Sequence, residues 1–210
     1  MNKAKIHELY ALLAAERPSP KSELNFSSPF ELLVAVMLSA QATDKSVNLA
    51  TEKLFAAANT PQAILELGQE GLENYIRTIG LYRNKAKHVI AACRMLCEKF
   101  AGEVPRNYDQ LVSLPGVGSK TAKVVLNVAF GEPTIAVDTH IFRVANRTGL
   151  ARGDSPDEVS EKLSKITPPE FLKNAHHWLL LHGRYCCKAR KPLCNQCPIS
   201  HLCTSDEKTL

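Results

Sequence analysis

The chain has 210 residues, 45% hydrophobic and 22% charged, which is apolar enough for a real core and excludes an intrinsically disordered segment; the length suits one large domain or two small ones. The longest apolar stretches, residues 32–38 and 178–181, fall far short of the roughly 20 residues that a membrane-spanning helix needs, so no membrane is expected. The formal net charge is +5, and all of it lies in one place. Residues 171–205 contain no Asp or Glu but carry Lys173, Arg184, Lys188, Arg190 and Lys191, while the other 21 basic residues balance the 21 acidic ones. A basic segment of this kind suits a polyanion such as DNA, although a merely solvated loop has the same composition.

In chain order, nearly every segment reads as helix. Residues 1–12 mix Lys3, Lys5, His7 and Glu8 with apolar residues, an amphipathic helix pattern and not a secretory signal. Pro29-Phe30 opens a helix through Leu38 that is apolar all round and is therefore expected to be central and buried. Thr60-Pro61 marks another start, with Thr60 as N-cap and Pro61 in the first turn; Ser155-Pro156 repeats the signal, and Pro168-Pro169 begins one more. The one strand-like run, residues 134–137, is too short to form a sheet alone. The expectation is an all-α protein of roughly ten helices.

Ile79-Gly80-Leu81 followed by Lys85-Ala86-Lys87 and Val89-Ile90 resembles, 36 residues on, Pro115-Gly116-Val117 followed by Thr121-Ala122-Lys123 and Val125-Leu126. Each half reads as helix, tight glycine turn, helix. The second turn, Leu114-Pro115-Gly116-Val117-Gly118, is the stronger motif. Its glycines let the chain reverse sharply, and the helix that starts near Ser119 begins with amides that have no partner inside the helix. Backbone amides at a positive helix end form a phosphate site that needs no base contact, the grip expected of a helix-hairpin-helix that scans DNA.

Lys120 sits at the start of that second helix, where a cation opposes the helix dipole. The same field favours the neutral, nucleophilic amine. Lys120 thus reads as a nucleophile, with phosphate binding as the alternative. Asp138 is its natural partner. A helix over residues 119–130 rises about 18 Å, and residues 131–137 extend to about 23 Å, so the chain is long enough to bring Asp138 back to the level of Lys120. The plainer role for Asp138 is to N-cap the next helix, and one aspartate can serve both ends. His140 reads as structural.

There are seven cysteines. Cys93 and Cys97 lie four apart in a helical pattern and read as buried thiols. Cys187, Cys194, Cys197 and Cys203 are separated by six, two and five residues, a compact loop able to wrap one inorganic centre. Common zinc sites use two CxxC pairs on a longer spacer, and only one is present here, so the spacing favours a [4Fe–4S] cluster with zinc as the alternative. A disulfide pair fits poorly with a chain expected in a reducing cytoplasm. Cys186 abuts the first ligand and is treated as spare.

These motifs resemble the endonuclease III family of DNA repair glycosylases over almost the whole chain: Leu38-Ser39-Ala40-Gln41-Ala42-Thr43-Asp44, the hairpin with Lys120, Val137-Asp138-Thr139-His140, and the 6-2-5 cysteine loop. The resemblance implies a two-domain, all-α helix-hairpin-helix glycosylase fold. A six-helix barrel would span residues 21–133, with the hairpin at about 107–130. A [4Fe–4S] domain would combine residues 1–20 with 134–210, its cluster loop at 187–203, and damaged DNA would lie in the cleft between the two domains. It also implies excision of oxidised pyrimidines such as thymine glycol from duplex DNA, through a Schiff base on Lys120 assisted by Asp138, and then cleavage 3′ to the abasic site by β-elimination. Gln41 and Leu81 match positions that fill the gap left by the flipped nucleotide. Gly116, Val117, Gly118, Arg190 and Lys191 are the residues expected to touch DNA. The implied protein is a monomer that works in the bacterial cytoplasm, at the nucleoid, on double-stranded DNA carrying a damaged base or an abasic site. Two rivals are an adenine-type mismatch glycosylase without lyase chemistry and a non-catalytic DNA-binding protein. Neither needs an amine at position 120.

Overall fold

A computed structural model describes residues 1–206, 208 and 209. Among these it contains ten α-helices: α1 (Lys3–Glu16), α2 (Pro29–Leu38), α3 (Asp44–Ala57), α4 (Pro61–Ile76), α5 (Tyr82–Lys99), α6 (Tyr108–Ser113), α7 (Ser119–Phe130), α8 (Thr139–Thr148), α9 (Pro156–Ile166) and α10 (Pro169–Tyr185). A single 3₁₀ turn, Cys194–Gln196, lies in the cysteine loop. No strand occurs among the described residues, and no helix there is long and apolar enough to cross a membrane. The chain forms two compact units, one of residues 22–131 and one of residues 1–21 with 132–210.

The unit of residues 22–131 is built around α2. Ser28 N-caps it by accepting the Glu31 N–H at 3.1 Å, and the buried Glu31 carboxylate reaches back to the Ser27 N–H at 2.6 Å and its hydroxyl at 2.8 Å. This is close to a capping box, and it satisfies the one charged group that the helix buries. Every residue from Phe30 to Leu38 is buried, and α2 packs against α3, α5 and α7. Each large apolar side chain hidden this way contributes about 1.5–3 kcal/mol. α4 is interrupted at Gly68 (φ 67°, ψ 176°), a backbone that glycine adopts without a Cβ penalty.

The unit of residues 1–21 and 132–210 packs α1, α8, α9 and α10 around a second core. The Tyr10 side chain is fully buried and hydrogen-bonds Thr167 Oγ1 at 2.9 Å; burial raises its phenol above the usual tyrosine range. Trp178 Nε1 donates to Arg17 O at 2.8 Å. The strand-like run of the sequence is irregular here, and Ile135, Ala136 and Val137 are buried in it. Ser160 Oγ donates to Ile135 O at 2.8 Å and satisfies one carbonyl that a sheet would otherwise have paired.

The two halves of the internal repeat match in the helices that follow the turns and differ in the turns and in the helices before them, 16 residues in α4 against six in α6. Ala86 and Ala122 are fully buried, as are Val89 and Val125. In the first turn the left-handed residue is Leu81 (φ 59°); in the second it is Gly116 (φ 77°), one repeat position earlier. Leu81 is 62% exposed, whereas its counterpart Val117 is buried. The shift turns one apolar residue outward and the other into the core.

Candidate active site and cluster cavity

The hairpin consists of α6, the turn at 114–118, and α7. Leu114 and Val117 anchor the turn in the core, and the Val117 N–H donates to Leu114 O at 3.1 Å. Val117 is therefore buried in its side chain and committed in its N–H, while Gly116 and Gly118 are exposed. Gly116 has no substitute. Besides its positive φ, a Cβ there would stand 2.7 Å from His88 Cβ and 3.2 Å from Met37 Cε, and the stem of His88 cannot swing away. Gly116→Ala is expected to lower stability by about 2–3 kcal/mol from strain and overlap together. Gly118→Ala, at φ −92° with nothing within 4 Å of the added carbon, should stay within about 0.5 kcal/mol of the parent. Urea midpoints of the two variants check this, and equal losses would contradict it.

Gly118 N-caps α7 without a side-chain hydrogen bond. The first amides of the helix thus have no side-chain cap, the arrangement suited to a phosphate oxygen. Lys120, in the first turn of α7, is exposed.

Gln41 and Leu81, distant in sequence, share a rare backbone. Both are exposed non-glycine residues in the left-handed region, at φ 55° and 59°, where an ordinary side chain costs about 1–2 kcal/mol. A residue missed at the sequence level ties their two loops together. The Lys85 side chain is buried and its Nζ donates to Leu38 O at 2.9 Å. Leu38 ends α2 three residues before Gln41, and Lys85 lies one turn into α5 after Leu81. Burial lowers the Lys85 amine below its ordinary value. The cation also meets the carbonyl end of α2, which favours positive charge.

In the other unit, Asp138 N-caps α8: its Oδ1 accepts the Ile141 N–H at 2.8 Å. The same helix carries two arginines that hold the cysteine loop. Arg143 donates to Gly183 O at 2.7 Å and to Cys187 O at 2.9 Å. Arg147 donates to Lys188 O at 2.7 Å and to Ala189 O at 3.1 Å. Close approach of α8 and α10 depends on Gly183, where a Cβ would stand 2.9 Å from both His140 Cβ and His140 O. His140 thus has a packing role. Lys188, Arg190 and Lys191 are exposed, and Lys191 adopts φ 51° at the tip of the loop.

Cys187, Cys194, Cys197 and Cys203 line one cavity, together with Cys186 and the buried His182. A tetrahedral zinc with Zn–S bonds of about 2.3 Å would draw four sulfurs to within roughly 3.8 Å of one another. Among the described residues, the one three-donor group with all ligand atoms within 4.8 Å of one another is His182, Cys186 and Cys197. No three of the 6-2-5 sulfurs lie that close together, so they are not drawn in around a single ion, and the donor set of four thiols on one cavity suits an iron–sulfur cluster. The thiol of Cys197 is held below its ordinary value, chiefly by the neighbouring Cys186 thiol and also by His182, whose Nε2 lies 3.7 Å from Cys197 Sγ, against the effect of burial. Cys186 is raised in turn. Cys186, treated as spare on spacing, lines the cluster cavity with the four ligands, and one reading changes: Cys97 is partly exposed, unlike the buried Cys93.

Comparison with known proteins agrees with this arrangement. Residues 34–169 match the HhH-GPD superfamily of base excision DNA repair proteins, and residues 187–203 match the iron–sulfur binding domain of endonuclease III, from the first of the four spaced cysteines to the last. Endonuclease III of Escherichia coli (strain K12) is 61% identical over 99% of both chains, and that of Haemophilus influenzae (strain Rd) is equally similar over the same share. Among solved structures, a trapped endonuclease III–DNA covalent intermediate superimposes with a TM-score of 0.91 at 49% identity, covering 97% of this chain and 96% of that one. A thermostable thymine-DNA glycosylase shares the fold at 24% identity and a TM-score of 0.86 over 96% of each chain. The chain belongs to the endonuclease III family, the [4Fe–4S] branch of the helix-hairpin-helix base excision DNA repair glycosylases.

Proposed function

We propose that this protein excises oxidised pyrimidines from duplex DNA and then nicks the abasic strand, with Lys120 as nucleophile and Asp138 as its acid–base and electrostatic partner. One observation carries the reading: a relative that is 49% identical has been captured covalently joined to DNA, and in this chain an exposed lysine stands at the electropositive start of α7, beside the glycine turn.

The damaged nucleotide leaves the base stack to be reached. The lone pair of Lys120 Nζ attacks C1′, the bond from C1′ to the base breaks, and the base departs with its electron pair and takes up a proton. Loss of the amine protons and opening of the sugar ring leave an imine at C1′. Removal of a C2′ proton then expels the 3′ phosphate by β-elimination, and water hydrolyses the imine to regenerate the lysine. The Asp138 carboxylate accepts a proton from Lys120 and stabilises positive charge developing on the sugar. Gln41 and Leu81 occupy the space vacated in the duplex. Their left-handed backbones push both side chains outward, a strain that packing of α2 and α5 sustains.

Gly116 and Gly118 hold phosphate through the backbone, Val117 anchors the turn that presents them, and Arg190 and Lys191 add charge at the tip of the cysteine loop. Cys187, Cys194, Cys197 and Cys203 hold the cluster. When bound, it supplies a covalent tie that keeps the loop folded against α8 and α10 and takes no part in the bond changes on DNA. The protein works as a single chain in the cytoplasm, at the nucleoid.

The test is borohydride reduction during turnover on a duplex with one thymine glycol. A covalent protein–DNA species is expected, and binding without any trapped species would defeat the lyase reading. Lys191→Glu is expected to weaken DNA binding and to lower the slope of log K against log salt by about 0.9 for each phosphate that the loop ceases to neutralise; an unchanged slope would remove the loop tip from the interface.

A further inference from the structure

Cys186 lies outside the 6-2-5 pattern, yet it shares the cavity of the other four thiols. Its position is set by the end of α10. The N–H groups of Cys186 and Cys187 both donate to His182 O, at 2.9 and 2.8 Å, and Leu193 N–H returns to Cys186 O at 3.0 Å. These bonds hold two consecutive cysteines against the loop that carries Cys194 and Cys197. The sulfurs of Cys186 and Cys197 and a ring nitrogen of His182 all lie within 4.8 Å of one another. With metal–thiolate bonds of about 2.3 Å, two sulfurs on one metal atom stand roughly 3.8–4.6 Å apart, so only a small movement separates Cys186 from the metal that Cys197 would hold.

We propose that Cys186 is a reserve ligand for the corner of the cluster held by Cys197. The proposal rests on the ligand set given above. The exchange moves no electrons: the Cys186 thiol gives up its proton, its sulfur bonds the iron, the bond from that iron to Cys197 breaks, and Cys197 takes up a proton. Among the described residues, Cys187, Cys194 and Cys203 belong to no such close group of donors. The chain gains a cluster that survives loss or modification of one of its four thiolates.

Iron and sulfide per chain are measured on purified holoprotein variants. Cys194→Ser should lose the cluster at least tenfold; if it keeps a full complement, the ligand set falls and the reserve falls with it. Cys186→Ser should keep the full complement, because Cys197 still holds its corner. Cys197→Ser should keep more than half, and the double variant Cys186→Ser with Cys197→Ser should lose at least tenfold. A Cys197→Ser protein as depleted as the double variant overturns the reserve while leaving the ligand set standing. Alkylation of the native holoproteins, mapped by mass spectrometry, gives a second readout. Cys186 should react in the parent and be protected at least fivefold in Cys197→Ser, and equal reactivity in both overturns the proposal.

Discussion

Lys120→Gln should reduce base excision and strand cleavage at least about a thousandfold while leaving DNA affinity within a few-fold of the parent. Glutamine keeps much of the length and a hydrogen-bonding end, so interactions that need only a polar tip survive, but it has no amine to attack C1′. Lys120 is exposed, and nothing in the core depends on it. It also places a cation where the dipole of α7 is positive, so its removal should raise stability by about 0.3–1 kcal/mol. An inactive protein that is slightly more stable is the signature of a residue kept for chemistry. Single-turnover excision on thymine glycol DNA, borohydride trapping and a urea unfolding curve read the three quantities together. Persistent trapping in this variant would assign the nucleophile to another amine and leave Lys120 as a phosphate ligand.

Asp138→Asn should slow turnover by about a hundredfold to ten-thousandfold with stability nearly unchanged. The structure makes this pair of effects separable. Asp138 Oδ1 caps α8 through the Ile141 N–H, and asparagine caps a helix about as well as aspartate does, so the substitution removes charge and proton acceptance but leaves the cap. Asp138→Ala removes the cap as well and should cost a further 0.5–2 kcal/mol or so. α8 also carries Arg143 and Arg147 to the cysteine loop, so the alanine variant should lose cluster iron on warming sooner than the asparagine variant. If Asp138→Asn turns over at the parent rate, capping is the whole role of this residue.

Local chemistry is what the chain announced in advance. Thr60-Pro61 and Ser155-Pro156 start helices because a hydroxyl cap and a fixed proline φ act within four residues, and α4 and α9 begin there. The run after Pro29, apolar but for Glu31, had to be buried, since no polar face was available to turn toward water, and it is. The 6-2-5 cysteine spacing pointed to an inorganic centre because ligand chemistry is itself short-range.

The tertiary structure decided the rest, for one physical reason: a sequence does not say which distant carbonyl a side chain will meet. Lys85 bonds Leu38 O, 47 positions away, and Arg143 and Arg147 reach the cysteine loop, 44 and 41 positions on. The outward turn of Leu81 against the inward turn of Val117 comes from a one-residue shift of the left-handed position, which similar glycine motifs conceal. Cys186, set aside as spare on spacing alone, joins the cluster cavity because the end of α10 and the Leu193 amide fix its place. By itself the sequence determined where the helices start and which chemistry they carry; only folding determined which of those groups stand together, because that depends on packing across the whole of each unit.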